Sequence, residues 1–313
     1  MQVFRGIPAQ ASQACVLTIG NFDGLHLGHQ ALLRLLADKA MALGLPTAVL
    51  TFEPHPRELF SPEDAPARLT SLREKLLLLG ASGVDRVYIG HFTRRFATLD
   101  AQTFVDALVR GLAPRHLLIG DDFCFGARRG GDFALLQTAG QEHGFTVEAM
   151  PTLTVGGERA SSSAVRQALA SGALDHAARL LGRPYSIAGR VVHGDQIGRK
   201  LGFPTANLHF RHRRPALRGV FAVAVEGIGP ARRPAIANVG LRPTASQGVE
   251  PRLEIHVLDW AGHCYGKVLR VHFLHKLRAE VRFPSLDALK TQIAHDEIAA
   301  RDWFSLHPDS LRG

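Results

Sequence analysis

The sequence has few cysteines and no long apolar run. Its three cysteines, Cys15, Cys124 and Cys264, are far apart and lack CxxC spacing, so neither a disulfide framework nor a zinc site is expected. A reducing compartment suits such a chain. No apolar run reaches the roughly 18 residues of a membrane span, and residues 1–10 lack a signal-peptide core. We therefore expect a soluble, cytoplasmic protein with no membrane partner.

Aromatic residues are also scarce, at 7% of the chain, although the chain carries a formal net charge of +9. A basic surface attracts anions, which include nucleic acids and small phosphorylated substrates. The runs Arg128-Arg129 and Arg211-His212-Arg213-Arg214 raise the alternative of an RNA- or DNA-binding protein. Because few aromatics interleave with these charges and no nucleic-acid motif is recognisable, solvated basic loops are the better interpretation. We expect no nucleic-acid partner.

The first half of the chain alternates short apolar runs with helix-like segments. Strands are expected around residues 16–19, 47–50, 84–89 and 116–119. Helices are expected over 30–43, 71–79, 103–112 and 133–143, followed by a helical pair at 164–170 and 174–181. This alternation is typical of parallel βαβ units. The prediction is an open, Rossmann-like α/β domain with a parallel sheet.

Beyond Gly182-Arg183-Pro184 the rhythm changes to strand-like stretches separated by Gly and Pro. Strands are expected over 185–192, 219–225, 253–258 and 268–274, and a helix over 286–301 with Ser285 as its N-cap. This pattern predicts a small antiparallel β-barrel with a terminal helix. Since 313 residues suit about two domains, we place them at 1–182 and 183–313.

A glycine- and histidine-rich segment, Gly20-Asn21-Phe22-Asp23-Gly24-Leu25-His26-Leu27-Gly28-His29, joins the first strand to the first helix. Glycines allow close approach of a ligand to the backbone, and the free N–H groups at a helix N-terminus attract phosphate. The two histidines can donate hydrogen bonds to phosphoryl oxygens and stabilise charge during attack on an α-phosphate. The alternative is a glycine turn with two surface histidines.

This HxGH pattern resembles the signature of the nucleotidyltransferase superfamily, and the longer GxFDGxHxGH form resembles its FAD synthetase branch. The resemblance implies that His26 and His29 are catalytic residues that stabilise charge during attack on the α-phosphate. It implies nucleotide binding by the rest of the segment, namely Gly20, Phe22, Asp23, Gly24 and Gly28. Asp23 could orient magnesium or a ring nitrogen, or simply stabilise the turn.

Three further segments resemble the same family: residues 51–56 (TFEPHP), 120–126 (GDDFCFG) and 159–166 (RASSSAVR). The resemblance implies that Arg159, Ser162, Ser163 and Arg166 hold the phosphates that leave as pyrophosphate. Helix capping is the other explanation of such serines. The same resemblance implies that Asp122 and Phe123 bind the flavin.

Two positions depart from this family. Ser163 stands where threonine is more frequent, and Cys124 stands where a basic residue is more frequent. The hydroxyl is kept at the first position and the charge is lost at the second. These departures leave open a monofunctional kinase whose first domain only binds nucleotide or flavin.

The second half carries a glycine-rich, basic segment at residues 189–207 (GRVVHGDQIGRKLGFPTAN). It resembles riboflavin kinase and contains no Walker GxxxxGK[ST] motif. Backbone and charge at Gly198, Lys200 and Gly202 are suited to ATP phosphates. The oxygens of Thr205 and Asn207 are suited to Mg²⁺, a hard cation.

Phosphoryl transfer to a hydroxyl needs a group that accepts or orients its proton. Glu254 is the candidate, since its segment, residues 253–259 (LEIHVLD), resembles the one that carries the proposed catalytic glutamate of this family. Strand alternation puts Glu254 and His256 on one face. Glu250 is the rival candidate, and an exposed strand carboxylate is the alternative without function.

The resemblance continues through residues 237–240 (ANVG), 242–244 (RPT), 265–266 and 277–283. Arg278 is expected to pair either with phosphate or with Glu280. Phe283 and the terminal helix are expected to cover the flavin ring, with core packing as the alternative. The expected flavin-binding residues here are therefore Arg278 and Phe283.

Together the resemblances cover residues 14–302 in the order found in bacterial bifunctional riboflavin kinase/FAD synthetases. The implied activity is phosphorylation of riboflavin to FMN by the second domain and adenylylation of FMN to FAD by the first, with release of pyrophosphate. ATP is the co-substrate of both steps and Mg²⁺ the implied cofactor. The expected partners are therefore riboflavin, FMN and ATP.

Overall fold

The computed structural model describes residues 1–194, 198, 201–209, 214–243 and 249–312. The backbone forms two compact units, Met1–Pro66 with Leu72–Ser161, and Ala67–Ser71 with Ser162–Gly313. The helical pair after Ser161 thus clusters with the second unit, whereas the sequence interpretation places it in the first domain. The functional boundary at 182/183 stays a prediction.

The first unit is built on a six-stranded sheet whose paired strands are all parallel. Its strands are β1 (Gln2–Arg5), β2 (Cys15–Ile19), β3 (Thr47–Glu53), β4 (Arg86–His91), β5 (Pro114–Gly120) and β6 (Thr146–Met150), in the order β1-β4-β3-β2-β5-β6. The chain runs from β2 to β3 and β4 on one side, then crosses to β5 and β6. This reversal creates a switch point between the carboxyl ends of β2 and β5, where open α/β sheets bind ligands.

Helices and a small hairpin complete the first unit. They are α1 (Leu27–Leu43), α2 (Pro56–Phe60), α3 (Leu72–Ala81), α4 (Arg94–Ala97), α5 (Ala101–Leu112), α6 (Phe133–His143), and the hairpin β7 (Thr154–Val155) with β8 (Glu158–Arg159). Strand β2 is buried on both faces: Leu17 belongs to one apolar cluster, with α5 and α6, and Val16 to another, with α1 and α3. Two-sided burial explains why its sequence is a continuous apolar run.

The second unit holds a closed six-stranded barrel of order β10-β13-β12-β11-β14-β9, antiparallel throughout. Its elements are α7 (Ser162–Ser171), α8 (Leu174–Leu181), β9 (Ser186–Val192), β10 (Ala206–His209), β11 (Gly219–Glu226), β12 (Arg233–Pro243), β13 (Val249–Val257), β14 (Val268–Arg278) and α9 (Leu286–Leu306). The predicted fold class is therefore confirmed for both halves.

The terminal helix α9 packs on the outside of the barrel. Ser285 caps it, as predicted, by accepting a hydrogen bond from the backbone N–H of Ala288 at 3.1 Å. Its buried Ala300 lies in an apolar cluster with Val220 and Ile236 of β11 and β12. The outer face over β10 and β13 carries polar side chains instead. None of the described helices combines the length and apolar character that a membrane span requires.

Candidate active sites

The turn after β2 bends through two non-glycine residues of the left-handed region, Phe22 at φ 48° and Leu25 at φ 44°. Both side chains are nearly fully buried, and this burial offsets the unfavourable backbone conformation. A Cβ on Gly20 would lie 3.1 Å from the Phe22 ring, and Gly24 has φ 81°. Both glycines are therefore required by the path of the turn. Asp23 is buried within it.

His26 is the N-cap of α1, and its Nδ1 accepts the backbone N–H of His29 at 3.4 Å. Since Nδ1 acts as an acceptor, the proton of the neutral ring resides on Nε2. The rings of His26 and His29 stack with centroids 3.7 Å apart. The first turn of α1 contains no acidic side chain, and the positive end of its dipole faces the turn. The two histidines and this helix end form one donor surface at the switch point.

Gly28 allows this stack to form. A Cβ there would lie 3.1 Å from the His26 ring and 3.1 Å from the Ala160 carbonyl oxygen. A side chain at the third position of HxGH would therefore displace the His26 ring slightly.

We expect Gly28→Ala to lower the reaction rate at this site roughly tenfold, because the His26 ring must move by a few tenths of an ångström and rates are sensitive to small misplacements of reacting groups. Helix propensity favours alanine, so the thermal midpoint is expected to stay level or rise. Gly80→Ala in α3 is the matched control, since its Cβ would meet only the flexible Met1 side chain, at 3.5 Å. If activity and midpoint fall together in Gly28→Ala, the loss comes from destabilisation of the turn and not from misplacement of the histidines.

The pKa of His29 lies well below 6.5 because burial disfavours the charged ring, and the nearby His26 and Lys75 add to the effect. His29 Nδ1 is buried without a hydrogen-bond partner. His29 therefore presents a neutral ring to the site at neutral pH.

The depressed pKa of His29 predicts a pH-dependent stability. Below pH 6.5 His29 is protonated in the unfolded chain but stays neutral in the folded chain, so the free energy of unfolding falls as pH falls. Above pH 6.5 the contribution of His29 to this free energy is constant. Burial lowers the pKa of His116 and His272 in the same direction. Urea titrations from pH 7.5 to 5.5 measure the slope, and His29→Asn is expected to reduce it. An unchanged slope in that variant would refute the assignment.

The carboxyl end of β5 places Asp121 and Asp122 beside the switch point. Arg159 on the hairpin donates to Asp122 at 2.9 Å and to Asp121 at 3.4 Å. Thr152 donates to Asp121 at 2.7 Å. Phe123 stacks on Phe125 with centroids 5.7 Å apart. The structure thus brings together a predicted phosphate ligand, Arg159, and two predicted flavin contacts, Asp122 and Phe123.

The serines of the RASSSAVR segment occupy the start of α7. Ser162 and Ser163 lie in its first turn, and Arg166 in its second turn donates from Nε to the Ala67 carbonyl oxygen at 2.7 Å. Ala160, two residues before this helix, is the residue that packs against Gly28. A phosphate role for these three side chains stays a prediction.

On the barrel, Glu254 of β13 has a direct cross-strand neighbour on each side, Asn207 of β10 and Asn238 of β12. Buried Leu253 and Ile255 point into the barrel, so Glu254 and its neighbours share the outer face, as alternation predicted for Glu254. The side-chain oxygens of both asparagines are buried without a hydrogen-bond partner. Glu254 also forms an ion pair with Arg252, whose Nη1 lies 3.1 Å from Glu254 Oε1.

The glycine-rich segment folds over this face. A Cβ on Gly194 would collide with the amide group of Asn207, and one on Gly198 would lie 3.2 Å from the Thr205 hydroxyl. Gly202 takes φ 93°, and the Gly198 carbonyl accepts from the backbone N–H of Phe203 at 2.8 Å. The structure therefore brings the predicted phosphate-binding Gly198 close to the predicted metal ligand Thr205. Lys200 lies outside the described residues, and the side chain of Glu250 is likewise undescribed.

Arg278 pairs with Asp296 of α9 and not with Glu280, which corrects one of the two expected pairings. The Arg278–Asp296 contacts are bidentate, at 2.8 and 2.7 Å, and Asp296 is buried. Glu280 instead lies over Gly240, where a Cβ would collide with its carboxylate. The Arg278 guanidinium lies 5.6 Å from the Phe283 ring centroid. The two predicted flavin contacts are thus adjacent, and Asp296 anchors one of them.

Sequence reasoning missed four side chains at these sites: Thr51, Lys75, Asn238 and Arg252. Lys75 is buried on α3 at a position where an amphipathic helix normally has an apolar residue, and this break in the pattern was the available signal. Asn238 stood within a quoted motif without a role. Arg252 had no signal, since its pairing depends on strand geometry.

Comparison with protein families gives two matches along the chain. Residues 9–164 match the FAD synthetase family, and residues 181–304 match the riboflavin kinase family. The first match contains every residue of the first candidate site except Arg166, and the second contains the candidate site on the barrel.

Proteins described as bifunctional riboflavin kinase/FMN adenylyltransferase are similar over almost the full length. The Escherichia coli K12 protein is 52% identical, covering 98% of this chain and 99% of its own. The Pseudomonas fluorescens protein is 51% identical over 96% of this chain and 97% of its own. For the Haemophilus influenzae protein, identity is 46% over 97% of this chain and all of its own.

A crystal structure described as a macrolide-efflux protein from Streptococcus pneumoniae has a similar fold, with a TM-score of 0.81. It is 30% identical and covers 97% of this chain and 100% of its own. The two family matches correspond to the two activities in the description of the full-length relatives. The chain belongs to the family of bifunctional riboflavin kinase/FMN adenylyltransferases.

Proposed function

We propose that this chain converts riboflavin to FMN on its barrel and FMN to FAD on its parallel-sheet domain, using ATP in both steps. The observation that carries the proposal is that each half has its own set of reactive side chains. Glu254 stands between two asparagines on the barrel, and the stacked His26 and His29 stand at the mouth of α1.

In the kinase step, the riboflavin 5′-hydroxyl attacks the ATP γ-phosphate in line, giving FMN and ADP. Glu254 accepts the hydroxyl proton, and its Arg252 contact holds the carboxylate in place. Gly198 and Gly202 give the backbone the close approach that phosphates need. Arg278, which Asp296 anchors, and Phe283 line the flavin-binding side of the kinase site.

In the adenylylation step, the FMN phosphate attacks the ATP α-phosphate and pyrophosphate leaves. His26, the neutral ring of His29 and the N-terminus of α1 donate hydrogen bonds as negative charge develops. No covalent enzyme intermediate is required, because positioned donors lower the barrier. Arg159 and the α7 residues Ser162, Ser163 and Arg166 receive the leaving pyrophosphate, while Asp122 and Phe123 contact the flavin.

The barrel residues fit a Mg²⁺ ion. Thr205 and Asn207 offer neutral oxygens, and the Asn207 side-chain oxygen is buried without a partner. In the described part of the chain no three His, Cys, Asp or Glu side chains form a metal cluster. This suits Mg²⁺, which binds through few protein ligands and substrate phosphates. When bound there, it would neutralise charge on the transferring phosphoryl group.

The deciding experiment incubates the full chain with ATP and Mg²⁺, starting once from riboflavin and once from FMN, and separates the flavins by chromatography. FAD is expected from both, with pyrophosphate released in proportion, and EDTA is expected to stop FMN formation. FMN without FAD would favour the monofunctional kinase, for which Cys124 and Ser163 are the motivation. No flavin product would overturn the proposal, and a salt-sensitive RNA gel shift would then favour nucleic-acid binding.

A further inference from the structure

Lys75 is a buried cation close to the nucleotide turn. It is 2% exposed on α3, and Leu79, one turn later, is fully buried. Its Nζ donates to the Thr51 hydroxyl at 3.3 Å. Keeping a lysine out of water costs free energy, so a buried lysine beside a reactive turn needs a physical reason.

The hydrogen bonds continue from Lys75 to the turn itself. Thr51 is fully buried towards the carboxyl end of β3, and its hydroxyl donates to the Asn21 carbonyl oxygen at 3.3 Å. Because the Thr51 hydroxyl donates its proton to Asn21, its oxygen accepts the hydrogen bond from the Lys75 ammonium. Asn21 immediately precedes Phe22, whose φ of 48° is unfavourable. The relay therefore fixes the backbone where the turn is strained.

The charge of Lys75 also acts on the reactive end of α1. The charged or titratable groups that act on the His29 ring are His26, from its own turn, and Lys75, from α3. Both oppose protonation of His29. A permanent ammonium adds positive potential beside the helix end, in a poorly solvated place where charge acts strongly. His29 thus stays neutral while Lys75 keeps its charge.

We propose that Lys75 is a positioning residue for adenylyl transfer: through Thr51 it fixes the turn at Asn21, and its ammonium supplies permanent positive charge beside His29. This inference rests on the proposed adenylylation of FMN by the first domain. It assigns Lys75 an effect on the rate of the step and not on flavin recognition.

The test measures kcat and KM for FAD formation from FMN in three variants. Lys75→Met removes both ammonium and donor, and we expect kcat to fall by roughly tenfold or more with KM for FMN within about twofold. Thr51→Val removes the relay and keeps the charge, so a smaller loss is expected. Thr51→Ser keeps the hydroxyl and is expected to retain most activity. In Lys75→Met the acid limb of the pH–rate profile should move to higher pH, since His29 becomes easier to protonate.

Lys39→Met is the matched control, because Lys39 is a half-exposed lysine paired with Glu148 at 2.9 Å; its kcat should be unchanged. Riboflavin phosphorylation in the same samples reports folding of the barrel. A kcat of Lys75→Met equal to wild type overturns the inference, as does a loss that follows only the thermal midpoint. If Lys75→Met does not fold, equal kcat in Thr51→Val and Thr51→Ser overturns it. A wild-type chain that makes no FAD refutes the proposed function instead.

Discussion

Glu254→Gln is expected to reduce the rate of riboflavin phosphorylation by about 10²–10⁴, the usual contribution of a positioned general base. Glutamine keeps the size of the side chain and its hydrogen-bonding capacity, but it does not take up a proton. The loss should appear in kcat, since the hydroxyl proton is transferred only as the γ-phosphate moves. FMN formation from riboflavin at saturating ATP and Mg²⁺ measures it.

The FMN-to-FAD step gives an internal control for this variant. Because Glu254 lies in the barrel and His26 and His29 lie in the parallel-sheet unit, adenylylation of added FMN should stay within about twofold of wild type. A loss of both activities would indicate misfolding and not lost base catalysis. The thermal midpoint separates these cases.

Glu250→Gln is the second control, since Glu250 is the rival carboxylate on the same strand. Backbone pairing places Glu250 opposite Arg242, whereas Glu254 lies opposite Asn207 and Asn238. We therefore expect Glu250→Gln to retain most kinase activity. If Glu250→Gln loses kinase activity and Glu254→Gln keeps it, Glu250 is the base. If both variants stay active, neither carboxylate is the base.

The architecture was largely predictable because each half has one dominant periodicity. Continuous apolar runs separated by helical segments predicted a parallel sheet, and strand-like stretches separated by Gly and Pro predicted the barrel. Strands were nevertheless missed in both halves: β10 and β12 in the barrel, and β1 and β6 in the parallel sheet. Strand β6, Thr146–Met150, is mostly half-exposed, and β1, Gln2–Arg5, is exposed at the edge of the sheet, so neither has a run of buried residues.

Site residues were predictable where one segment of the sequence supplies several of them. They were not predictable where strand pairing brings distant residues together. His26, Gly28 and His29 lie within a single turn, so their spacing alone indicates a shared site. Asn238 and Glu254 are neighbours only through the register of β12 and β13, which turns and bulges determine. The Arg278–Asp296 pair depends likewise on where α9 packs against β14.

His26→Asn and His29→Asn are each expected to lower FAD formation by about 10²–10³, the cost of removing one donor to developing charge. Asparagine at position 26 is a good N-cap, so the start of α1 should persist while the reach of the imidazole Nε2 is lost. Loss of rate with a preserved helix would therefore report chemistry. Starting from riboflavin, both variants should accumulate FMN in place of FAD, which chromatography detects directly.

The double variant tests whether the stacked rings act as one unit. With centroids 3.7 Å apart, the rings are close enough to serve one α-phosphate in the proposed step, and removing either ring takes away the stacking partner of the other. The double loss should then be much smaller than the product of the single losses. His143→Asn, an exposed histidine at the end of α6, is the matched control and should keep both activities. If FAD formation survives in His26→Asn and His29→Asn, the charge on the α-phosphate is stabilised without the imidazoles, and the histidines serve only to shape the turn.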